Sequence, residues 1–472
     1  MHDTTLPAGF IEGCAAILGD AALVRDPEAI EPYVTDFWGQ YRGVTPLVLR
    51  PGSTAEVAAL VKLAAAHGVA LVPQAGNTGL VVGGIPDQSG RQVVLSVQRL
   101  DRIRHVDPSG DHLVAEAGCV LAEVQAAAAG IGRLFPLSLG AEGSCRIGGN
   151  LSTNAGGVNV LRYGMSRALV LGLEVVLADG SVWNGLRPLR KDNTGYDLKQ
   201  LFIGAEGTLG IITAAALKLA PAPNEVQTLW LGIDDPRTAV RLLTLFQQEM
   251  GELISSFELL TSFGVEAACE HLPGVRRPVA EPHPWHVLVE VAWSFPDGLR
   301  DRLEAVLEKA FEEGLVQDGT LAESGAQRDM MWRIREGQSE ATRHMGFIVR
   351  SDVTVPISEL PELIDRMQAW VGPAAPGVQL IPFGHVGDGN LHFNFVTPPG
   401  EVERLKPVLL DRLYEEVGRL AGSISAEHGI GRLKREAMQA GKSEVELSMM
   451  RRLKAAFDPQ GILNPGVILK TE

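Results

Sequence analysis

The spacing of apolar residues predicts alternating helices and strands in the first half of the chain. Residues 54–67 carry an apolar stripe at helical spacing, with Ser53 or Thr54 as the N-cap and Gly68 as the stop. Residues 121–129 carry a second such stripe. Short apolar runs predict strands at residues 47–51, 69–73, 93–97 and 112–118, and Asp179-Gly180 predicts the turn of a hairpin over residues 173–182.

Longer elements follow Pro221, where prolines and small residues interrupt the pattern. Strands are predicted at residues 228–233, 255–260 and 287–293, and helices at residues 237–250 and 299–313. Strands and helices in this order favour an α+β domain with an antiparallel sheet over residues 222–424. The remaining segment, 425–472, is predicted to contain a basic amphipathic helix that ends near Phe457.

Length and composition are those of an ordinary globular protein. The chain has 472 residues, which is too many for one core, so two or three domains are expected. Apolar residues make up 45% of the chain. No apolar run approaches the roughly 18 residues that span a bilayer. The net charge of −15, with no cluster of lysine and arginine, argues against nucleic acid and anionic membranes as partners.

Cysteine usage and the first residues give an expectation about the compartment. The cysteines are scattered and form no CxxC pair, so they are predicted to be buried small hydrophobic side chains in a reducing compartment: Cys14, Cys119, Cys145 and Cys269. The first residues lack a basic stretch followed by an apolar one, so no secretory signal is predicted. A cytoplasmic location is therefore expected.

The chain has three glycine-rich segments: residues 74–84, which follow a predicted strand, residues 135–157, which follow the predicted helix 121–129, and residues 201–213, which lead into a strand. In the first, Gly76 and Gly79 let the backbone approach a ligand closely and turn successive N–H groups inward, which suits a phosphate. No helix clearly follows, so it is not the GxGxxG fingerprint, and an ordinary glycine-rich turn is the alternative. The second segment is predicted to be a long functional loop.

Two histidines in the second half flank a predicted tight turn over residues 387–390. His385 ends one arm, and His392 lies just inside an alternating strand, so His392 and Asn394 are predicted to point the way that His385 faces. Two imidazoles and a carboxylate are a common set of ligands for a divalent metal, and Glu427 would complete it. The alternative is a pair of hydrogen-bonded histidines at a strand end.

Arginines supply the other candidate chemistry. If residues 331–339 are helical, Arg335 and Ser339 share one face. Arg350 is predicted to lie in an alternating strand beside Val349. Each of these arginines could instead be a solvated surface cation.

The motifs in combination resemble one family of flavoproteins. They read PxxGNTG, GGNLSTNAGG, GAEGTLGIIT, GHVGDGNLH, EHGIG and NPG, over residues 73 to 466. Together they resemble the vanillyl-alcohol oxidase-type FAD oxidoreductases, in the branch that oxidises D-2-hydroxyacids. The resemblance implies an α+β fold with a two-subdomain FAD-binding domain over residues 1–221, an α+β cap over 222–424, and a tail, 425–472, that returns to the FAD domain.

The resemblance also implies which residues bind FAD. Residues 74–80 would hold the pyrophosphate, later segments would line the flavin, ribityl chain and adenine, and Asn464 would meet the isoalloxazine edge. The full implied set is Pro73, Gln74, Ala75, Gly76, Asn77, Thr78, Gly79, Leu80, Ser138, Gly143, Ser144, Gly148, Gly149, Ser152, Asn154, Ala155, Gly207, Ile212 and Asn464. Relatives that bind FAD covalently often carry histidine in the first glycine segment, where this chain has Asn77 and Thr78, so non-covalent FAD is expected.

The implied mechanism gives separate roles to a metal ion, a catalytic base and two arginines. A divalent metal on His385, His392 and Glu427 would act as a Lewis acid on the substrate hydroxyl, with zinc the first choice and manganese or iron the alternatives. His428 would be the catalytic base and also bind substrate. Arg335 and Arg350 match the family's carboxylate-binding positions, and Ser339 and Asn394 would add neutral hydrogen bonds. Together these residues would place C2 of the substrate for hydride transfer to N5 of the flavin.

Three classes of function remain open at the level of sequence. The first is D-2-hydroxyglutarate oxidation, with D-lactate, D-malate or glycolate as alternative substrates. The second is a redox-neutral transferase resembling alkyl-glycerone-phosphate synthase, and the third is a flavoprotein subunit that needs partners. The sequence has no nicotinamide fingerprint, haem motif or iron–sulfur spacing, so an external electron acceptor is expected, either an electron-transfer flavoprotein or a quinone at the inner membrane. A homodimer is expected.

Overall fold

A computed structural model of the chain describes residues 6–7 and 9–470. The residues on which the prediction about a secretory signal rested, 1–3, lie outside the described part. The chain divides into two compact units, called here the first and the second unit. The first unit comprises residues up to Gly157, Gly164–Ala222 and the chain from Glu427 onward, and the second comprises Val158–Tyr163 and Pro223–Ala426.

The described residues alternate between helices and strands. The helices are α1 (Phe10–Leu18), α2 (Pro27–Val34), α3 (Thr54–His67), α4 (Leu121–Ala129), α5 (Ile147–Ser152), α6 (Val160–Tyr163), α7 (Lys199–Phe202), α8 (Pro236–Met250), α9 (Ser262–His271), α10 (Leu299–Glu312), α11 (Gly325–Glu336), α12 (Gln338–Ala341), α13 (Leu360–Ala374), α14 (Val402–Arg419), α15 (Arg435–Gly441) and α16 (Glu444–Phe457).

The strands are β1 (Leu23–Val24), β2 (Val48–Leu49), β3 (Ala70–Gln74), β4 (Gln92–Ser96), β5 (Ile103–Asp107), β6 (His112–Glu116), β7 (Arg133–Leu134), β8 (Val170–Val176), β9 (Val182–Asn184), β10 (Ile211–Lys218), β11 (Ala220–Pro221), β12 (Glu225–Ile233), β13 (Ile254–Thr261), β14 (Trp285–Trp293), β15 (Asp318–Leu321), β16 (Phe347–Val349), β17 (Val353–Thr354), β18 (Gln379–His385) and β19 (Asn390–Thr397). None of the described helices is long and apolar enough to cross a bilayer.

The first unit contains two main sheets. One has the strand order β1-β2-β4-β3, in which β2 and β3 both run parallel to β4, and the other has the order β5-β6-β10-β8-β9 with antiparallel pairs. The α3 prediction is confirmed at both ends: the Ser53 side chain accepts from the Glu56 N–H, and Gly68 adopts φ 62°. The hairpin prediction is also confirmed, since β8 pairs with β9 across the Asp179-Gly180 turn.

The second glycine-rich segment is not the structureless loop that its composition predicts. Ile147–Ser152 forms the helix α5 inside it. Gly148 and Gly149 make this helix possible, because an added Cβ at Gly148 would lie 2.7 Å from the Ala117 Cβ. The absence of side chains therefore serves close helix packing here, as well as backbone freedom.

The second unit is built on one large antiparallel sheet, as predicted. Its strand order is β15-β12-β14-β13-β18-β19-β16, with β17 also paired to β19. Helices α8, α10, α13 and α14 contribute buried residues to the core on this sheet. The short segment Val158–Tyr163 joins this unit, where the Ser256 hydroxyl donates to the Val158 carbonyl at 2.6 Å, and no feature of the sequence predicted that excursion.

Two predictions about the arginine segments are wrong in detail. Helix α11 ends at Glu336, so Ser339 lies on the separate helix α12 and does not extend the face that carries Arg335. The break comes at Gly337, where an added Cβ would clash with Leu272. Arg350 lies one residue beyond the end of β16 and not within the strand.

The prediction that the cysteines are buried and unpaired is confirmed for three of the four, and the reducing compartment stays a prediction. Cys14, Cys119 and Cys145 are buried thiols and Cys269 is half-buried, and none of them forms a disulfide in the described part of the chain. Burial raises the pKa of Cys14 and of Cys119 to about 12.

Acid should destabilise the second unit through His286. Its ring is buried in β14 and accepts a hydrogen bond from Trp230 Nε1 at 3.1 Å. Burial, and then the charges of His283 and Arg277, lower the pKa of His286 from 6.5 to about 4, so the folded state resists protonation. The folding stability that neutral His286 provides is complete above pH 6.5 and is lost as the pH falls towards 4. This loss amounts to about 3 kcal/mol.

Urea unfolding of the full chain at several pH values between 7 and 4.5 measures this loss. His286→Gln keeps an acceptor for Trp230 but does not titrate, so its unfolding free energy should fall less steeply with acid. The same slope in both proteins would assign the acid sensitivity to other groups.

Candidate active site

The glycine-rich segments of the first unit converge because their glycines approach neighbouring segments closely. An added Cβ at Gly76 would lie 2.5 Å from the Ser144 carbonyl oxygen, and one at Gly207 would lie 3.1 Å from Pro73. Gly76 belongs to the first segment and Pro73 directly precedes it, while Ser144 belongs to the second segment and Gly207 to the third. The three segments that the sequence marked separately therefore form one backbone-rich surface.

Buried amide oxygens at this surface lack a hydrogen-bond partner. They are Gln74 Oε1, Asn150 Oδ1 and Asn464 Oδ1. The Asn464 side-chain N–H groups are already used, donating to the carbonyls of Gly83 and Glu206 at 2.9 and 2.7 Å. Buried acceptors are rarely left unpaired, so these three atoms suit the N–H and hydroxyl groups of a polar ligand. The site thus fits a ligand such as FAD.

Backbone strain concentrates in the same segments. Of the eight described non-glycine residues with positive φ, four lie in these segments: Asn77, Val82, Asn154 and Glu206, at 55°, 62°, 52° and 50°. A fifth, Asn464 at 45°, bonds to two of the segments through Gly83 and Glu206. Asparagine tolerates this region, whereas β-branched Val82 is a genuine outlier. Strained backbone of this kind persists where the surroundings enforce it, and it clusters at ligand sites.

Several predicted cofactor-binding side chains bond within the first unit. Asn77 Nδ2 donates to the carbonyls of Pro32 and Thr35, and Ser152 Oγ donates to the Gly148 carbonyl. Ser138, Ser144 and Asn154 likewise have protein partners, and Ile212 is buried in β10. Their side chains are therefore occupied within the protein, which leaves their backbone groups for a ligand. An added Cβ at Gly79 or Gly143 would meet no atom within 4 Å, so space is open there.

The segment that carries Glu427 and His428 is held by a buried carboxylate. Glu206 accepts from the Ile430 N–H at 2.7 Å and from the Gly431 N–H at 2.8 Å. Burial raises the pKa of Glu206 to about 7, against the effect of these two hydrogen bonds. On its other side the Glu427 carboxylate lies beside Gly156, where an added Cβ would come within 2.7 Å of Oε1.

The second unit brings the two predicted histidine ligands together. His385 ends β18, Gly389 makes the turn at φ 82°, and His392 is the third residue of β19. The ring centroids lie 5.5 Å apart, and each ring offers a nitrogen within 4.8 Å of the other. Asn394 shares their face of the sheet, because side chains repeat with period two. Two imidazoles at this separation can bind one metal ion.

A buried carboxylate that the sequence did not single out lies beside His385. Glu258 accepts from Arg335 Nε at 2.6 Å, and its other oxygen lies 2.7 Å from His385 Nδ1. Burial alone would raise the pKa of Glu258, but Arg335 and His385 outweigh it and hold the pKa at about 2. Its signal in the sequence was a charged residue inside the apolar run of β13, whose residues are all buried.

Asp352 is a second residue that the sequence did not single out. It is fully buried and accepts from Asn390 Nδ2 at 2.7 Å and from the Ala426 N–H at 3.2 Å. One of its carboxylate oxygens also lies within 4.8 Å of a His392 nitrogen. Asp352 therefore ties the turn after His385 to the last residue before Glu427.

The remaining predicted substrate residues surround this hairpin less tightly. Arg350 is half-buried, and burial, followed by the charge of Arg343, lowers its pKa to about 10. The next residue, Ser351, donates its N–H to Asn394 Oδ1 at 3.4 Å, which places Arg350 close along the chain to the histidine face. Ser339 is half-buried on α12. A desolvated cation near this pair of histidines favours an anionic ligand.

Two family models match the chain. "FAD binding domain" matches residues 45–185, and "FAD linked oxidases, C-terminal domain" matches residues 222–468. These matches establish FAD as the cofactor, in agreement with the sequence motifs and with the glycine-rich surface. They also agree with an α+β fold in two parts.

Relatives match nearly the whole chain. The D-2-hydroxyglutarate dehydrogenase of Bos taurus is 41% identical over 449 residues, which cover 95% of this chain and 81% of that protein. The enzyme of the same name from Arabidopsis thaliana is 39% identical over 453 residues, covering 96% and 80%. Among solved structures, an alkyldihydroxyacetonephosphate synthase has a TM-score of 0.76 at 17% identity, covering 98% of this chain and 86% of that one. The last similarity establishes the fold alone.

The predicted cytoplasmic location is wrong. The relatives from Bos taurus and Arabidopsis thaliana are both named as mitochondrial proteins. The prediction rested on the scattered cysteines and on the composition of the first residues, and neither feature determines the compartment.

Proposed function

Because the chain belongs to the family of FAD-linked oxidases that contains the D-2-hydroxyglutarate dehydrogenases, it is an FAD-dependent dehydrogenase of D-2-hydroxyacids, and we propose that its substrate is D-2-hydroxyglutarate. The observation that carries this choice of substrate is a pair of arginines with little exposure to solvent. Arg335 is buried and Arg350 is half-buried, both in the second unit. A substrate with two carboxylates uses two such cations, whereas D-lactate has one carboxylate.

The two arginines have different tasks in this proposal. Glu258 already neutralises Arg335 through a 2.6 Å ion pair, so Arg335 contributes directed N–H donors more than net charge. Arg350 has a pKa lowered to about 10 by burial, so an adjacent carboxylate is favoured there. Ser339 and Asn394 supply neutral hydrogen bonds in the same proposal. Arg350 thus recognises a carboxylate by charge, and Arg335 recognises one by geometry.

FAD is held by the converging glycine-rich segments of the first unit, and when bound it supplies the acceptor for the hydride of C2. The residues proposed for this task are those of the glycine-rich segments and Asn464, as the motifs imply. The unpaired acceptors on Gln74 and Asn464 and the close approach at Gly76 support it. Non-covalent binding is proposed, because Asn77 and Thr78 occupy the positions of a linking histidine.

We also propose a divalent metal ion on His385, His392 and Glu427. The pair of histidines supports it, since their nitrogens lie within 4.8 Å of each other in the second unit. Glu427 follows Ala426, and the Ala426 N–H is bonded to Asp352 of that unit. Two imidazoles with one carboxylate suit zinc, and manganese or iron are the alternatives. The ion would supply Lewis acidity at the substrate hydroxyl, and His428 would take the hydroxyl proton.

An anaerobic titration of the flavin absorbance tests the proposed function. D-2-hydroxyglutarate should bleach the flavin band at lower concentration than D-malate or D-lactate, and L-2-hydroxyglutarate should leave it unchanged. Arg350→Met should raise the concentration needed for D-2-hydroxyglutarate far more than the concentration needed for D-lactate. A flavin that no D-2-hydroxyacid bleaches would favour the redox-neutral transferase, and preferred bleaching by D-lactate would overturn the choice of substrate.

The electron acceptor and the assembly are proposed on the sequence alone. With no second redox motif in the chain, electrons leave to an external acceptor, either an electron-transfer flavoprotein or a quinone. A homodimer is the proposed assembly, and sedimentation of the FAD-loaded protein measures it.

A further inference from the structure

Glu258 is a charged residue in the interior of a sheet, where charged residues are rare. It lies in the middle of β13, and all eight residues of that strand are buried. Its side chain is 1% exposed, and burial of a carboxylate is costly unless a partner compensates it. Well-packed apolar residues often stabilise a fold more than a buried ion pair does. The carboxylate therefore calls for an explanation other than stability.

Strand register explains which groups Glu258 meets. It is the direct partner of His385 in the pairing of β13 with β18. One carboxylate oxygen lies 2.7 Å from His385 Nδ1, and the other accepts from Arg335 Nε at 2.6 Å. Glu258 thus contacts one proposed metal ligand and one proposed substrate residue at once.

The three side chains select one tautomer of His385. An ionised carboxylate only accepts, so His385 Nδ1 carries the proton that it donates to Glu258. An arginine only donates, so His385 Nε2, which lies 3.3 Å from Arg335 Nη2, carries the lone pair. Both contacts require the Nδ1–H form. That form leaves Nε2 with the lone pair that a metal ion needs.

We propose that Glu258 is a positioning residue for the metal and substrate site. It holds His385 in the tautomer whose Nε2 carries a lone pair, and it fixes the guanidinium of Arg335, which faces that nitrogen at 3.3 Å and would move aside when the metal binds. This inference rests on the proposed metal site and names a residue outside it. Mutation of a carboxylate that bonds to a metal-ligating histidine typically weakens metal binding by about 10- to 100-fold.

Glu290 provides a matched control for the test. It lies on the neighbouring strand β14, and its carboxylate is also buried. It accepts from Arg328 Nε at 2.9 Å and from Trp332 Nε1 at 2.8 Å. Both donors lie on helix α11, which also carries Arg335. Glu290→Gln therefore removes a buried charge that lies in the same sheet and bonds to the same helix, on a strand that carries neither His385 nor His392.

The experiment compares the full chain, loaded with FAD, as wild type, Glu258→Gln and Glu290→Gln. The Kd for Zn²⁺ is measured by competition with a chelator, and KM and kcat are measured in parallel. Glutamine replaces one of the two acceptor oxygens that serve His385 and Arg335 with an NH₂ donor, so the Zn²⁺ Kd of Glu258→Gln should rise about 10- to 100-fold. Glu290→Gln should keep the wild-type Kd, and both variants should keep a wild-type flavin spectrum.

The possible results separate this inference from the proposed function. A wild type that binds no Zn²⁺ overturns the proposed metal site and this inference with it. A wild type that binds Zn²⁺ as tightly as Glu258→Gln overturns the inference alone, and so does an equal loss in both variants.

The wild-type protein offers a measurement that does not depend on the folding of a variant. ¹⁵N chemical shifts of the histidine rings in the metal-free, FAD-loaded chain distinguish the two neutral tautomers. His385 is assigned by comparison with His385→Gln. The Nδ1–H form is expected, and an Nε2–H form would overturn the proposal.

Discussion

His392→Ala should abolish turnover while leaving the protein yellow. Removing one of three proposed ligands should release the metal, and with it the stabilisation of charge on the substrate hydroxyl, which is worth several kcal/mol. Turnover with D-2-hydroxyglutarate should therefore fall by about 10³-fold or more. FAD should remain, because the glycine-rich segments that support it belong to the first unit and His392 belongs to the second. Metal analysis, the flavin spectrum and steady-state kinetics measure the three quantities.

His271→Ala is the matched control for this substitution. His271 is a half-buried histidine of the same unit, and its ring stacks on His344 at 4.7 Å. His271→Ala removes the same side-chain atoms as His392→Ala, but from helix α9 and not from β18 or β19. The control should keep metal and turnover. Full activity in His392→Ala, or equal losses in both variants, would contradict the proposed metal site.

The elements of this fold were predictable where neighbouring residues decide them. The four apolar residues of α3, its Ser53 cap and its Gly68 stop all lie within one short stretch, and the helix has the predicted limits. The turn between β18 and β19 was predictable for the same reason, since glycine and asparagine tolerate the backbone that it needs. Alternation then placed His392 and Asn394 on one face.

The parts of the site that depend on distant residues were not predictable in this way. Nothing near Glu258 in the sequence indicates His385, because strand pairing between β13 and β18 brings them together over more than a hundred residues. The same applies to Gly337, which ends α11 where Leu272 packs against it. The family motifs marked positions proposed to contact ligands, whereas Glu258 and Asp352, which bond to residues near those positions, lie outside the motifs.

Helix α5 shows a different limit of sequence reasoning. Its residues are small and polar, so propensity predicts a loop, yet close packing against Ala117 favours a helix that only glycine allows. The same small residues are compatible with a loop and with a closely packed helix. The contact with Ala117 decides between the two, and composition contains no information about that contact.

Gly76→Ala should cost the protein its FAD. The added Cβ would lie 2.5 Å from the Ser144 carbonyl oxygen and 3.0 Å from Cys145 Cα, and both are backbone atoms. Cys145 has little room to move, since its carbonyl accepts from the Leu121 N–H and its own N–H donates to the Ala141 carbonyl. Forcing these segments apart should lower the unfolding free energy by about 1–3 kcal/mol. It should also separate the backbone groups proposed to bind the cofactor.

Two further glycine substitutions are the controls for this prediction. Gly130→Ala, at the end of α4, places its Cβ at an ordinary 3.5 Å from its neighbours and should leave both FAD content and stability unchanged. Gly79→Ala meets no protein atom within 4 Å, so it should leave the stability of the FAD-free chain unchanged. If Gly79→Ala nevertheless loses FAD, the ligand itself approaches that backbone, as proposed for the pyrophosphate. If Gly76→Ala keeps its FAD and its stability, the convergence of the glycine-rich segments is not what holds the cofactor.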